Sequence, residues 1–180
     1  MMHMKVASTH TYAAPPEAVF AVMTSPEVLV AKYQALGHLD VKIVEHSARA
    51  GITVVRSRRG VRLVVPTFAK RFFEPVTLVD QLDEWDPPQA DGSRAGIWQV
   101  IARGVPVTTG GQLSLTPVTG GTLAEVSGEV TCPMPIVGGR IATFLAADVE
   151  RAMHEGAAFL DGYLRDSAAG SPAGIRRPAS

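Results

Sequence analysis

The chain has a single cysteine, Cys132, among its 180 residues. One thiol cannot close an internal disulfide, so the fold rests on its core alone, and a reducing compartment is the simplest setting. Charge is sparse as well: Asp, Glu, Lys and Arg make up 19%, with 17 basic side chains against 17 acidic ones. Without a basic excess there is no electrostatic footprint for nucleic acid, and no nucleic-acid partner is expected. The same zero balance gives weak colloidal repulsion, which suits self-association as a homodimer. No apolar run approaches the roughly 18 residues that a membrane-spanning helix needs. Met1-Met2-His3-Met4-Lys5-Val6 lacks the basic region and apolar stretch of a secretion signal, so the expected location is cytoplasmic.

What is present is an ordinary globular composition, 46% hydrophobic, on a length that suits one domain. A domain of this size buries roughly 70% of the surface its unfolded chain exposes, enough for a core without staples.

Local patterns give an order of elements. Met4 to Tyr12 reads as a strand stopped by Ala13-Ala14-Pro15-Pro16. The prolines suit the first turn of a helix, where a missing N–H costs nothing, and Val19, Phe20 and Met23 give that helix an apolar face. Thr24-Ser25-Pro26-Glu27 is a second helix start, and Gly37 is a natural left-handed stop for it. A run of strands follows: Leu39 to Glu45, Ile52 to Arg58, Val76 to Trp85, Ile97 to Val107, Gln112 to Val118 and Thr122 to Cys132. Gly110-Gly111 and Gly120-Gly121 are taken as the bounds of the fifth of these. Val61 to Phe73 reads as a strand edge or loop followed by a partly helical lid. After Gly138-Gly139 the apolar positions from Ile141 to Tyr163 recur at helical spacing, which predicts one long amphipathic helix of about 25 residues ending at Asp166. Residues 167–180 are Ala, Gly, Ser, Pro and Arg with almost nothing to pack, and disorder is expected there. The expected organisation is one domain over 4–166 and a disordered tail over 167–180.

The order strand, two short helices, antiparallel strands, long terminal helix resembles the START-like, or helix-grip (SRPBCC), superfamily. That superfamily includes birch-pollen allergen-type proteins, lipid-transfer START domains and polyketide cyclases. The stretch His10 to Val22, with Pro15-Pro16-Glu17-Ala18-Val19-Phe20, is similar to its strand-to-helix opening. Ala31-Lys32-Tyr33, Trp85 and Pro133 to Arg140 resemble an uncharacterised actinobacterial branch. The resemblance implies an α+β fold, a curved antiparallel sheet of six or seven strands wrapped on the C-terminal helix. It also implies an internal cavity, because a bent sheet cannot lie flat on a straight helix. Small residues on the helix, from Ala146 to Ala158, either leave room for that cavity or let the helix approach the sheet closely.

The expected ligand is an apolar small molecule or lipid, bound without catalysis and without a cofactor. Its expected lining is Tyr33, Phe68, Phe72, Trp85, Trp98, Met134, Phe144 and Met153, since aromatic and methionine side chains suit an adaptable apolar site. Each of these is equally at home in an ordinary core. The alternative is a cyclase- or aromatase-like enzyme, which needs polar groups converging in the same cavity; His46, Arg103 and Tyr33 are available, and nothing in the spacing selects them. A third reading is a filled module that acts through its surface.

Dedicated chemistry is otherwise thin. His154-Glu155 begins a zinc-protease string, but Ala158 stands where the second histidine must be, so no metal is expected. Cys132 reads as a small buried hydrophobe before it reads as a nucleophile. Gly138-Gly139-Arg140 reads as a chain reversal before an anion site. Arg56, Arg58, Arg59 and Arg62, with Lys70 and Arg71 nearby, form a basic cluster that suits either a solvated hairpin tip or anionic head groups at a membrane surface beside the cavity mouth.

Overall fold

The computed structural model describes residues 2–170. The elements are β1 (Met2–Tyr12), α1 (Pro16–Thr24), α2 (Pro26–Ala35), β2 (Leu39–Arg49), β3 (Ile52–Val61), a 3-10 helix (Thr67–Phe72), β4 (Thr77–Trp85), β5 (Arg94–Ala102), β6 (Thr108–Val118), β7 (Gly121–Cys132) and α3 (Gly138–Ala168). The seven strands form one antiparallel sheet in the order β1-β7-β6-β5-β4-β3-β2. β2 to β7 are a meander, and β1 returns to pair with β7 from Met2↔Cys132 to Tyr12↔Thr122. α3 packs against β1 and β7, and α1 and α2 lie between its C-terminal half and the sheet. This is the helix-grip layout that the sequence predicts. Helix α3 runs two residues into the segment expected to be tail, and 171–180 lie outside the described residues.

The helix ends follow from short-range chemistry. Pro16 opens α1, and Ser25 caps α2 by accepting a bond from the Val28 N–H at 3.4 Å. At the other end of α2, Gly37 takes φ 82°. Its N–H donates to the Gln34 carbonyl and that of His38 to the Tyr33 carbonyl, both at 3.0 Å. These paired bonds are a Schellman stop, which only a residue at ease with positive φ can make. The reversal brings the His38 ring back over Tyr33, stacked at 5.6 Å between centroids.

Gly110-Gly111 does not bound a strand but lies inside β6, opposite Gln99 and Trp98 of β5. A Cβ at Gly111 would strike the Ser127 carbonyl, and one at Gly128 would strike the Gly110 carbonyl and the Trp98 ring. The glycines let β5, β6 and β7 close tightly around Trp98, whose indole N–H donates to the Ser127 carbonyl at 3.1 Å. Similarly, β5 ends at Ala102 rather than Val107, because the chain turns at Gly104 with φ 79°.

The core is divided. One cluster gathers Val6, Val130, Cys132, Ile141 and Leu145 beneath the 3-10 helix. Another gathers Tyr12, Val19, Val28, Trp85 and Leu160 beneath α1. Leu29, Tyr33 and Val55 form a third under α2. Among the described residues no helix is long and apolar enough to cross a membrane.

Candidate functional site

Between these clusters the sheet and α3 stand apart and enclose a cavity of about 260 Å³. Its apolar wall is built from Trp98, Val100, Leu113 and Val126 of the sheet and Leu145 and Met153 of α3. Small residues on the helix do two different things along its length. Ala142 and Ala146 are buried in the first cluster, where close approach needs them. Ala152, Gly156 and Ala157 line the cavity instead. A Cβ at Gly156 would meet nothing nearer than the Lys32 side chain at 3.6 Å, so this glycine is not required by a close backbone approach. Half-buried Leu36, Leu63, Val149 and Met153 extend the lining to α2, α3 and the segment after β3.

One end of the cavity is polar. Alternation along β4 turns Thr77, Val79, Gln81, Asp83 and Trp85 to the same inner face, and alternation along β3 does so for Val55, Ser57 and Arg59. Arg59 is 6% exposed. Its Nε–H donates to His38 Nδ1 at 3.0 Å, its Nη1 to Ser57 Oγ at 3.0 Å and its Nη2 to Gln81 Oε1 at 2.7 Å. The guanidinium lies 3.9 Å from the centre of the Tyr33 ring, with Lys32 Nζ 4.5 Å from the same centre. Tyr33 donates its hydroxyl to Gln81 Oε1 at 3.1 Å, and Gln81 Nε2 donates to Asp83 Oδ1 at 2.9 Å. No ion pair among the described residues includes Arg59.

The electrostatics follow from this crowding. Burial, helped by the charges of Arg59, Lys32 and Arg151, pushes the His38 imidazole down to about 4. His38 is therefore neutral near pH 7, with Nδ1 as acceptor and the proton on Nε2. Burial pushes the Asp83 carboxyl up, offset in part by the Gln81 amide and by Lys32 and Arg59. Tyr12, which also lines the cavity, is raised by burial and by the nearby Asp161 carboxylate. Arginine carries five N–H donors, and the bonds above use three of them. The end of the cavity thus offers two unused guanidinium donors, an imidazole N–H and a carboxyl group in a low-dielectric setting.

Of the residues expected to line a pocket, Tyr33, Trp85, Trp98 and Met153 do so. Phe68, Phe72, Met134 and Phe144 pack in the cluster beside it, with Phe144 edge-on to Phe73 at 6.2 Å. The expected basic patch is split. Arg56 pairs with Glu45 at 2.8 Å and Arg58 with Asp80 at 2.7 Å, on the outer face. Arg59 is not a surface residue at all: being odd-numbered on β3, it shares the inward face of Val55 and Ser57. Arg62 is exposed. His46 is exposed on β2, and Arg103 pairs outside with Asp80 at 2.7 Å. Cys132 is buried in the first cluster. Lys32, His38, Gln81 and Asp83 were not foreseen, although Gln81 and Asp83 stand four and two places before Trp85 on one strand face.

The family model described as a protein of unknown function (DUF2505) matches residues 7–164. No curated protein matches the chain. Several solved structures share its fold. The Zhui aromatase/cyclase from Streptomyces sp. R1128 is 18% identical, with a TM-score of 0.64 over 94% of this chain and 99% of that one. A STAR-related lipid transfer protein from Xanthomonas axonopodis is 15% identical, with a TM-score of 0.59 over 88% and 84%. Ara h 8.0201 is 16% identical, with a TM-score of 0.54 over 91% and 99%. At such identities the likeness is one of fold.

Proposed function

This chain belongs to the DUF2505 family of proteins of unknown function, and from its cavity we propose that it binds an amphipathic small molecule. The acidic or acceptor head would sit against Arg59, and the apolar body would lie among Trp98, Leu113 and Met153. The observation that carries this reading is a buried guanidinium on the wall of a cavity that makes no direct ion pair among the described residues, Asp83 being joined to it only through the Gln81 amide. Removing a cation from water costs several kcal/mol, and neutral acceptors recover only part of that. An anionic ligand head supplies a directly paired counter-charge. The volume of about 260 Å³ stands just below the usual ~300–1,000 Å³ of small-molecule sites, which favours a compact ligand over a two-chain lipid. The names of the lipid transfer and aromatase/cyclase neighbours agree with an apolar or amphipathic ligand.

A cyclase-like enzyme is the second reading, and the convergence of Tyr33, His38, Arg59 and Asp83 is what favours it. Against it stands the state of His38. A general base needs a free lone pair, and its Nδ1 is already occupied by the Arg59 N–H. Binding without turnover therefore accounts better for the geometry. Native mass spectrometry of gently purified protein tests both readings. A bound organic acid that is released with unchanged mass supports binding. A bound species that loses water over time supports cyclisation, and a protein that carries and takes up nothing removes both.

A further inference from the structure

The two most exposed large aliphatic side chains described in the protein, Val64 at 93% and Ile136 at 100%, lie at the same end of the molecule. The sheet register fixes this. Val61 pairs with Thr77, Val79 with Ala102, Ile101 with Thr108 and Thr108 with Thr131, so β3 and β7 emerge from one edge of the sheet. The segments that follow them are packed together. Leu63 and Val65 from one, and Met134 and Val137 from the other, join a single apolar cluster, and the Arg140 guanidinium lies 3.9 Å from the Phe68 ring centre. Val64 and Ile136 are the members that turn away.

Ile136 is held outward at a backbone cost. Its φ is 68°, a left-handed state that a β-branched residue rarely adopts. Strain that keeps an apolar side chain in water points to a use for that side chain. The charge on the two segments is one-sided. Residues 62–76 and 133–140 carry Arg62, Lys70, Arg71 and Arg140 against one carboxylate, Glu74, in a chain whose overall balance is zero. All four cations are exposed, and none joins an ion pair among the described residues.

We propose that this end docks on an anionic lipid bilayer, with Val64 and Ile136 entering the interface and the four cations meeting phosphate head groups. Separate aliphatic tips set among cations match a surface that is polar outside and apolar a few ångströms in. A protein partner would call for one contiguous apolar patch. Arg62 is the one member of the expected basic cluster that belongs to this surface. Leu63, next to Val64, lines the cavity, so docking brings part of the cavity wall near a bilayer. The inference goes beyond the cavity reading and does not need it.

Co-sedimentation with phosphatidylcholine vesicles, and with vesicles of equal phosphatidylcholine and phosphatidylglycerol, tests it. The protein is expected to bind the mixed vesicles and not the neutral ones. Arg62→Gln with Lys70→Gln lowers binding by roughly fivefold per charge removed. Val64→Asp with Ile136→Asp abolishes binding and leaves circular dichroism unchanged, because neither side chain packs. Failure to bind, equal binding to both vesicles, or unchanged binding of the tip variant overturns the proposal. So does a dimer in sedimentation velocity that the tip variant splits while vesicles are ignored, which gives this end to a second copy. No cavity ligand enters the assay, and Arg59→Met is expected to bind vesicles as the wild type does, so the two readings fail separately.

Discussion

Replacing Arg59 by Met removes the charge while keeping an unbranched side chain of similar reach. In the free protein two effects oppose each other. Three hydrogen bonds from the guanidinium are lost, to His38, Ser57 and Gln81. Bonds of this charged kind are worth about 1.5–3 kcal/mol each. Against that, the folded state no longer desolvates a cation that lacks a directly paired carboxylate, which costs several kcal/mol. Gln81 Oε1 also keeps its bond from Tyr33. Stability should therefore move by no more than about 2 kcal/mol in either direction. Binding is different, because nothing replaces the attraction for an anion. Loss of one charge-assisted bond weakens a carboxylate ligand by about 1.5–3 kcal/mol, or roughly 10- to 150-fold. A neutral hydroxyl of the same chain length loses only about 0.5–1.5 kcal/mol. Isothermal titration with decanoate and decanol, on wild type and variant, reads both numbers. A variant that keeps its decanoate affinity, or that loses decanol equally, refutes the assignment of Arg59 as the head-group site. The variant also lifts one cause of the low His38 pKa, so that group should rise from about 4 toward its ordinary 6.5 by NMR titration.

Ala152→Phe should fill the void rather than overpack a core, leaving the melting temperature within a few degrees while decanoate binding falls more than about tenfold; titration and thermal melts check it. Trp98→Ala should destabilise by about 3 kcal/mol in urea, the low end of the ~3–5 kcal/mol range, because one side of the ring faces the cavity rather than packed atoms. The folded His38 binds fewer protons than the unfolded one between about 4 and 6.5, so stability held above that window is lost as pH falls through it. Asp83, raised when folded, works in the opposite sense and gains stability as pH falls. Urea midpoints across that window should therefore flatten in His38→Gln and fall more steeply with acid in Asp83→Asn.

The element order was legible because its signals are local. Prolines at 15, 16 and 26, the Gly37 stop and the long periodic stretch from Ile141 each act within a few residues. Gly110-Gly111 misled because glycine serves turns and close approaches alike, and only the neighbouring strands reveal which. The cavity was half legible. Tyr33, Trp85, Trp98 and Met153 are aromatic or soft residues on inward faces, but Phe68, Phe72, Met134 and Phe144 have the same character and fill core instead. Which apolar residues leave a space is decided by the bend of the sheet, which is a sum over many strands. The polar end went unseen because Gln81 and Asp83 look like solvent-facing residues until Trp85 fixes the face of β4. Arg59 looked like one of a run, and strand alternation alone separates it from Arg58.

A crystal structure of the protein grown with decanoate is the most direct test of Arg59 as the head-group site. The carboxylate is expected within hydrogen-bonding distance of the Arg59 guanidinium, with the chain lying between Trp98, Leu113 and Met153. Side chains of the protein filling that space, or a ligand seated with its carboxylate away from Arg59, would contradict it.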